Sequence, residues 1–476
     1  MTTYIFSGWS RLKSVPEPVC LAARRPRPLS FFLWAIYLLF GGVAAVIPVG
    51  SLFAKDIYVA QTALGSGTGA DAADAMAVGS LSWGTGGSQV NSNDTVYIVG
   101  TINGLGIGGS NVTVKFLVGS KISGSAASPN LIYCANYSNV TIDGQGWGVI
   151  EFTDNGTDLA YHNDNTMVAI PDASNFTIRG VFLKNGYVHT SRSDTTTNPY
   201  VYPFAISSTG GGFSGALNVQ NCVFSNECWC VNICGSAGVT TTVNVQSNYF
   251  VNYDHGVSIG GQTNQPLNIN VSWNTFDTTS NWDTYANNYH HDGIHYFADY
   301  SDSQSFIISH NTFTGNWGSN NTAHVFLEGI HGNGASNVVI FNNVFVQWPG
   351  DMLNNGFLNY IPTGGQVYNN KFLGSGDVVN SCAVSAPATN MRFVSNVVSG
   401  VTTFLSSGSG TGASFSAISN NIYANAVAGG NPGWRLNLNN FATFAGWRPA
   451  VGDVNSTYNN NINLFPPTNL HIVSGQ

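Results

Sequence analysis

One short motif, Asn-x-[Phe/Val/Tyr], recurs through the second half of the chain. It stands at Asn221, Asn248, Asn274, Asn311, Asn343, Asn370, Asn396 and Asn421, at intervals of 27, 26, 37, 32, 27, 26 and 25 residues. An alternating apolar–polar stretch precedes most copies (LNVQ, VNVQ, INVSW, FIISH, VVIFN), and VTVKF (112–116), VTIDG (140–144) and FTIRG (176–180) extend the theme upstream. Period-two alternation bounded by Gly, Asn and Ser reads as short strands joined by turns. No unit carries a ten-residue amphipathic stripe, and a propeller blade needs about 40–45 residues per repeat. What remains is a solenoid, in which each unit is one coil stacked on the last. The recurring Asn suits a turn, where it tolerates the left-handed conformation and its amide can pair with the coils above and below.

The ends of the chain carry a resemblance. IYVAQTALGSGTGADAADAMAVGSL (57–81) followed by SNDTVYIVGTI (92–102), and FATFAGWRPAVGDVNSTYNNNINLF (441–465) followed by LHIV (470–473), are similar to the opening and closing segments of bacterial proteins of the pectate-lyase-like superfamily. That resemblance implies an all-β fold, a single-stranded right-handed parallel β-helix, with an N-terminal lead-in segment and a C-terminal segment closing the open end. The family contains lyases, hydrolases, epimerases and non-catalytic surface proteins, so fold alone leaves the activity open.

Before this solenoid, residues 1–54 hold Arg24, Arg25 and Arg27, then an uncharged run from Leu29 to Ile47, then SLFA (51–54). A basic region, an apolar region and a small residue at the junction describe a secretory signal cleaved after Ala54. The alternative is an uncleaved anchor, since nineteen uncharged residues can span a bilayer; only in that case is a membrane a partner. The expected organisation is signal 1–54, β-helix 55–430 and capping segment 431–476, in a secreted or cell-surface protein, extracellular or periplasmic in a bacterium. Charged residues are only 8% of the chain and the net charge is −8. Such scarcity of Lys and Arg excludes nucleic acid as a partner. Beyond the signal, Cys134, Cys222, Cys228, Cys230, Cys234 and Cys382 match no standard zinc spacing, and read as disulfides or buried thiols.

Seven of the ten histidines fall between His255 and His331, and three of them sit in YHHDGIHYF (289–297). Setting DHGVSIG (254–260) against HDGIHYF (291–297) by their glycines stacks Asp254 and His255 near His291 and Asp292. Alternation then points Val257, Ile259, Ile294 and Tyr296 inward, and Ser258 and His295 outward. One coil on, AHVFLEGIH (323–331) sends Val325 and Leu327 inward, and His324, Phe326 and Glu328 outward. The intervals of 37 and 32 residues mark insertions in these same coils, carrying Trp282, Tyr285, Tyr289 and Trp317. Solenoid insertions project from one face and build binding sites.

Asp254, His255, Asp292, His295 and Glu328 are therefore the expected catalytic residues. Trp282, Tyr289, His291, Trp317 and His324 are expected to bind substrate. The family's lyases use Arg or Lys, yet none occurs between Arg192 and Lys371. Carboxylates on successive coils suit hydrolysis of a glycosidic bond in a neutral or weakly charged polysaccharide, with Asp254 and Asp292 about 5 Å apart as a retaining pair or Glu328 giving a wider, inverting one. DHGVSIG also resembles a turn of the polygalacturonases, but their NTD, adjacent Asp-Asp and RIK motifs are absent. The alternatives are a lyase or epimerase of the same fold, and a non-catalytic carbohydrate-binding surface protein or adhesin. No cofactor or metal is expected, the alternative being a divalent cation such as Ca2+ on the His and carboxylate groups. N-terminal sequencing of the exported protein is expected to begin at KDIYVA; an intact chain recovered in membranes would show the anchor instead.

Overall fold

The computed structural model describes residues 54–459 except 88, 191–201, 237, 261–265, 284–289, 298–302, 320, 328–334, 348–355, 360, 375–376, 381–388, 401–402, 407–413, 425–433 and 437–438. The signal sequence, Tyr285, Tyr289, Glu328, His331 and Cys382 lie outside the described residues.

The chain is a parallel β-helix with three strand-bearing faces. On the first face Thr241–Gln246, Leu267–Ser272, Ser303–Ser309 and Val338–Phe341 pair in register, coil upon coil. On the second, the first half of Tyr249–Gly260 lies between Val223–Cys234 and Thr275–Asp277, and the ladder continues through Thr312–Thr314 and Val344–Val346. Tyr249–Gly260 then turns a corner, and its far half joins the third face, followed there by His291–Tyr296, Asn321–Leu327 and Leu358–Asn359. Every described pairing between coils is parallel; the antiparallel pair is Trp434–Leu436 with Asn439–Phe441. Beyond it, helix Phe444–Val451 starts on a Thr443 cap, ends on left-handed Gly452, and buries Trp447 against Tyr423 and Trp434 over the last coils.

Stacking dictates the core. Phe224, Phe250, Phe276, Phe313, Phe345 and Phe372 contribute one ring per coil, with centroids 4.8, 4.7, 4.7, 4.8 and 4.9 Å apart. That is the strand spacing itself, so each ring lies flat on the next at no cost in register. Cys134, Cys222, Cys228 and Cys230 are buried free thiols, and Cys234 is disulfide-bonded.

The Asn motif forms a buried column. The side-chain oxygen of Asn274 accepts from the backbone N–H of Asn248 at 2.9 Å and from its side-chain amide at 3.0 Å. The pattern repeats through Asn311, Asn343, Asn370, Asn396 and Asn421. Each amide also donates to a first-face carbonyl, as Asn311 does to Val271 at 2.8 Å. Cys222 ends the column at one side and Ser456 at the other. Two sequence expectations change here. Asn221 is not a member, because Cys222 takes the position in register with Asn248. Nor are the column residues left-handed: positive φ belongs to the residue just before each, at Asn221, Ser247, Trp273, His310, Asn342, Asn369, Ser395 and Asn420. That residue makes the corner, and the column Asn fills the hydrogen bonds the corner leaves open.

Asn311→Ala would strand Asn274 donors and the Val271 carbonyl in the interior, a loss of about 3 kcal/mol from one buried bond with unsatisfied partners on both sides. Asn342→Gly, which keeps the left-handed corner, is expected to cost about 1 kcal/mol or less. Urea unfolding of the two variants checks this; equal midpoints would remove the column from the stabilising core.

Candidate functional site

The corner between the second and third faces is where the insertion falls. In one coil Asn252 to Asp254 crosses it within a single strand; in the next, residues 278–290 intervene before His291–Tyr296. His255 is in register with Asp292, and Ser258 with His295, as the glycine alignment requires. Val257, Ile259, Ile294 and Tyr296 face the core. Gly256 and Gly293 mark the bend: a Cβ on either would stand 2.7 Å from the ring of Phe276 or Phe313.

Two linked groups of side chains occupy the outside of this corner. In the first, Asp254 accepts from His255 Nδ1 at 2.6 Å and from His291 Nδ1 at 2.7 Å, one imidazole on each oxygen. His291 Nε2 reaches Asp283 Oδ1 at 2.9 Å, and Asp283 Oδ2 accepts from the Ser319 hydroxyl at 2.9 Å and from the Ser319 N–H. In the second, Asp292 Oδ1 accepts from Ala323 N–H at 3.1 Å. Its Oδ2 faces His290 Nε2 at 3.2 Å, His255 Nε2 at 3.5 Å and His295 Nδ1 at 3.7 Å. His255 joins the two groups, with one ring nitrogen on each carboxylate. The four atoms His255 Nε2, His290 Nε2, His295 Nδ1 and Asp292 Oδ2 lie within 4.8 Å of one another, so these residues could hold a metal ion.

Ring planes are fixed by stacking along the coil axis. Trp229 lies on His255 at 4.5 Å, His255 on His295 at 5.2 Å, and His295 on Phe326 at 4.7 Å. Asp254, His255, Asp292 and His295 are buried, whereas the His290 side chain is 33% exposed and gives the cluster its outlet.

Electrostatics follows from this packing. Burial alone would raise the Asp254 carboxyl, but His255 and His291 outweigh it and hold the group far below the usual carboxylate range. Asp292 is likewise held low against burial by His290, His295 and His255. His291 is pushed up, because its bonds to Asp254 and Asp283 outweigh desolvation. Both its ring nitrogens then donate, and it sits as an imidazolium between two carboxylates.

Not every expected residue reaches the cluster. His324 faces inward, at 5.4 Å from Phe313, 6.0 Å from Phe345 and 4.3 Å from Trp317. Strict alternation fails at the bend, where the two preceding coils carry Gly256 and Gly293. Trp317 is a core residue as well, and Trp282 is buried with Tyr187, Phe204, Trp229 and Phe297 in a satellite cluster; neither forms a solvent rim. Asp254 carries one imidazole on each oxygen and is fully buried, so it is placed to orient His255 and His291 rather than to meet a substrate. Glu328 and Tyr289 lie outside the described residues. His290 and Asp283 were not singled out as site residues from the sequence, because the insertion has no register from which to place them. Glu227, one coil earlier, is fully buried and its carboxyl is raised well above normal by burial; no motif marks it.

No protein-family model matches the chain, and no curated protein matches it. Among solved structures it is similar to the hyperthermoactive exopolygalacturonase from Thermotoga maritima, with 10% identity, 70% of this chain and 80% of that chain covered, and a TM-score of 0.32. The fold assignment rests on the strand pairing within this chain.

Burial pushes the His324 imidazole down to about 3. The unfolded state therefore binds the extra proton first, and stability is lost as pH falls from about 6.5 toward 3, at about 1.4 kcal/mol per unit. His324→Leu should flatten this dependence when urea midpoints are compared from pH 7 to pH 4. Identical slopes in the two proteins would show that His324 is not held neutral.

Proposed function

We propose that the protein is an exported enzyme that hydrolyses a neutral or weakly charged polysaccharide at the corner cluster, with no cofactor required for the fold and no nucleic acid involved. The observation that carries this reading is the convergence of three imidazoles on Asp292 Oδ2, beside the partly open His290. Asp292 is the base that takes a proton from water, and the imidazoles return a proton to the leaving alcohol. Asp254 is a positioning residue: it holds His255 with Nδ1 donating inward and Nε2 turned to Asp292. The second carboxylate that glycoside hydrolysis calls for would be Glu328, since Asp254 is buried and orients His255 and His291. The absence of Lys and Arg from residues 193–370 supports a substrate without a dense row of carboxylates.

Asp292→Asn and Glu328→Gln are each expected to lower release of reducing ends by ~10²–10⁴-fold on the best of a panel of polysaccharides. Wild-type activity with both variants unimpaired would remove these residues from the reaction. Unsaturated products absorbing in the ultraviolet would show the lyase branch of the fold instead. Binding of a glycan with no turnover on any of the panel would show a carbohydrate-binding surface protein.

A further inference from the structure

The geometry points to a divalent transition-metal site of the zinc type, formed by His255 Nε2, His290 Nε2, His295 Nδ1 and Asp292 Oδ2. It rests on the reading of this cluster as the functional site, though not on the choice of substrate.

Three features carry it. First, the spacing. Ligands about 2.0–2.1 Å from a tetrahedral ion are about 3.4 Å from one another. The three nitrogens stand 3.2, 3.5 and 3.7 Å from Asp292 Oδ2, and all four atoms fall within 4.8 Å of one another. Second, the buried polar atoms. Asp292 Oδ2 and His255 Nε2 are buried in the described structure and make no hydrogen bond, although both point into the same small space. Buried polar atoms are normally satisfied, and exceptions call for a cause. A cation placed between Asp292 Oδ2 and His255 Nε2 would supply the partner that each of them lacks. Third, the outer support. Ligating histidines donate their other N–H to a carboxylate, which fixes the tautomer and aims the bare nitrogen at the ion. Asp254 does this to His255 at 2.6 Å, and is itself anchored through His291, Asp283 and Ser319. The Ala323 N–H holds Asp292 in the same way from its other oxygen.

The donor set also selects the ion. Three imidazoles with one carboxylate suit zinc and its neighbours. They do not suit Ca2+, which takes six to eight oxygens. Of the four residues, His290 is the one whose side chain reaches solvent, at 33% exposure. With an ion bound, Asp292 and the three imidazoles would be its ligands rather than the base and acid of the metal-free reading, and a water on the ion, which would lose its proton near neutral pH, would take the place of the Asp292-activated water.

The test uses the full exported chain, stripped with a chelator and titrated with Zn2+ by calorimetry, with Co2+ substitution to read the coordination sphere from its visible bands. One ion per chain is expected, with visible bands of a four- or five-coordinate site. His290→Ala, at the exposed edge where folding is least at risk, and His295→Ala should each weaken Zn2+ binding by at least ~10²-fold. Asp254→Asn should weaken it ~10–100-fold, as loss of an outer partner does. Circular dichroism and the melting temperature of each stripped variant confirm that it is folded. Failure of the stripped wild type to bind stoichiometric Zn2+, or unchanged binding in folded His290→Ala, overturns the metal site. Hydrolysis persisting at full rate in the chelated protein also overturns its catalytic role while leaving the hydrolase standing. Stoichiometric Zn2+ binding without turnover of any glycan supports the site and sinks the hydrolase.

Discussion

Everything in this molecule depends on parallel pairing between consecutive coils. Once a backbone is hydrogen-bonded to the coil before and after it, equivalent side chains are about 4.8 Å apart, whatever they are. A column must then be made of groups that tolerate their own kind as neighbours. Phenylalanine does, by offset stacking, and the ring column runs through six coils at that spacing. Asparagine does, because its amide is donor and acceptor at once and can chain without limit. Ionised carboxylates do not, and at the corner Asp254 and Asp292 belong to adjacent coils yet are offset by one position, so that His255, not Asp254, stands in register with Asp292. The imidazole between them separates two negative charges that direct stacking would have opposed.

How much could be read from residues alone follows from the same rule. The repeat gave the coil, and the glycine-anchored alignment gave the register at 254–260 and 291–297, because a buried strand cannot slip without turning its apolar side chains out. Two kinds of information were beyond it. Alternation says which way a side chain points only while a strand is straight, and the bend beside Gly256 and Gly293 reversed the assignment of His324. Inserted residues have no counterpart in other coils, so nothing in the pattern could bring Asp283 to His291 or His290 to Asp292. The left-handed corner was similarly displaced by one residue from the Asn that made it visible. A conspicuous motif and the strained position it serves need not coincide.

The site joins strong fixation with a single loose element. Most of its groups are locked by register, by stacking between Trp229 and Phe326, or by paired carboxylates. His290, at the end of the insertion, is the exception in exposure. Preorganised groups lose little entropy when a reaction or a ligand demands a defined geometry, and one partly exposed side chain leaves a route inward.

The anchoring of Asp283 by Ser319, and of Asp292 by the Ala323 N–H, also sets an order in time. Translation delivers the chain from its N-terminus, and a solenoid can accrete coil by coil as it emerges. A nascent chain that has reached Tyr296 already possesses four histidines and three aspartates of the corner, but neither Ser319, which fixes Asp283, nor the strand Asn321–Leu327, whose Ala323 fixes Asp292. The geometry of the corner is thus incomplete in the half-made protein until the next coil has docked on it.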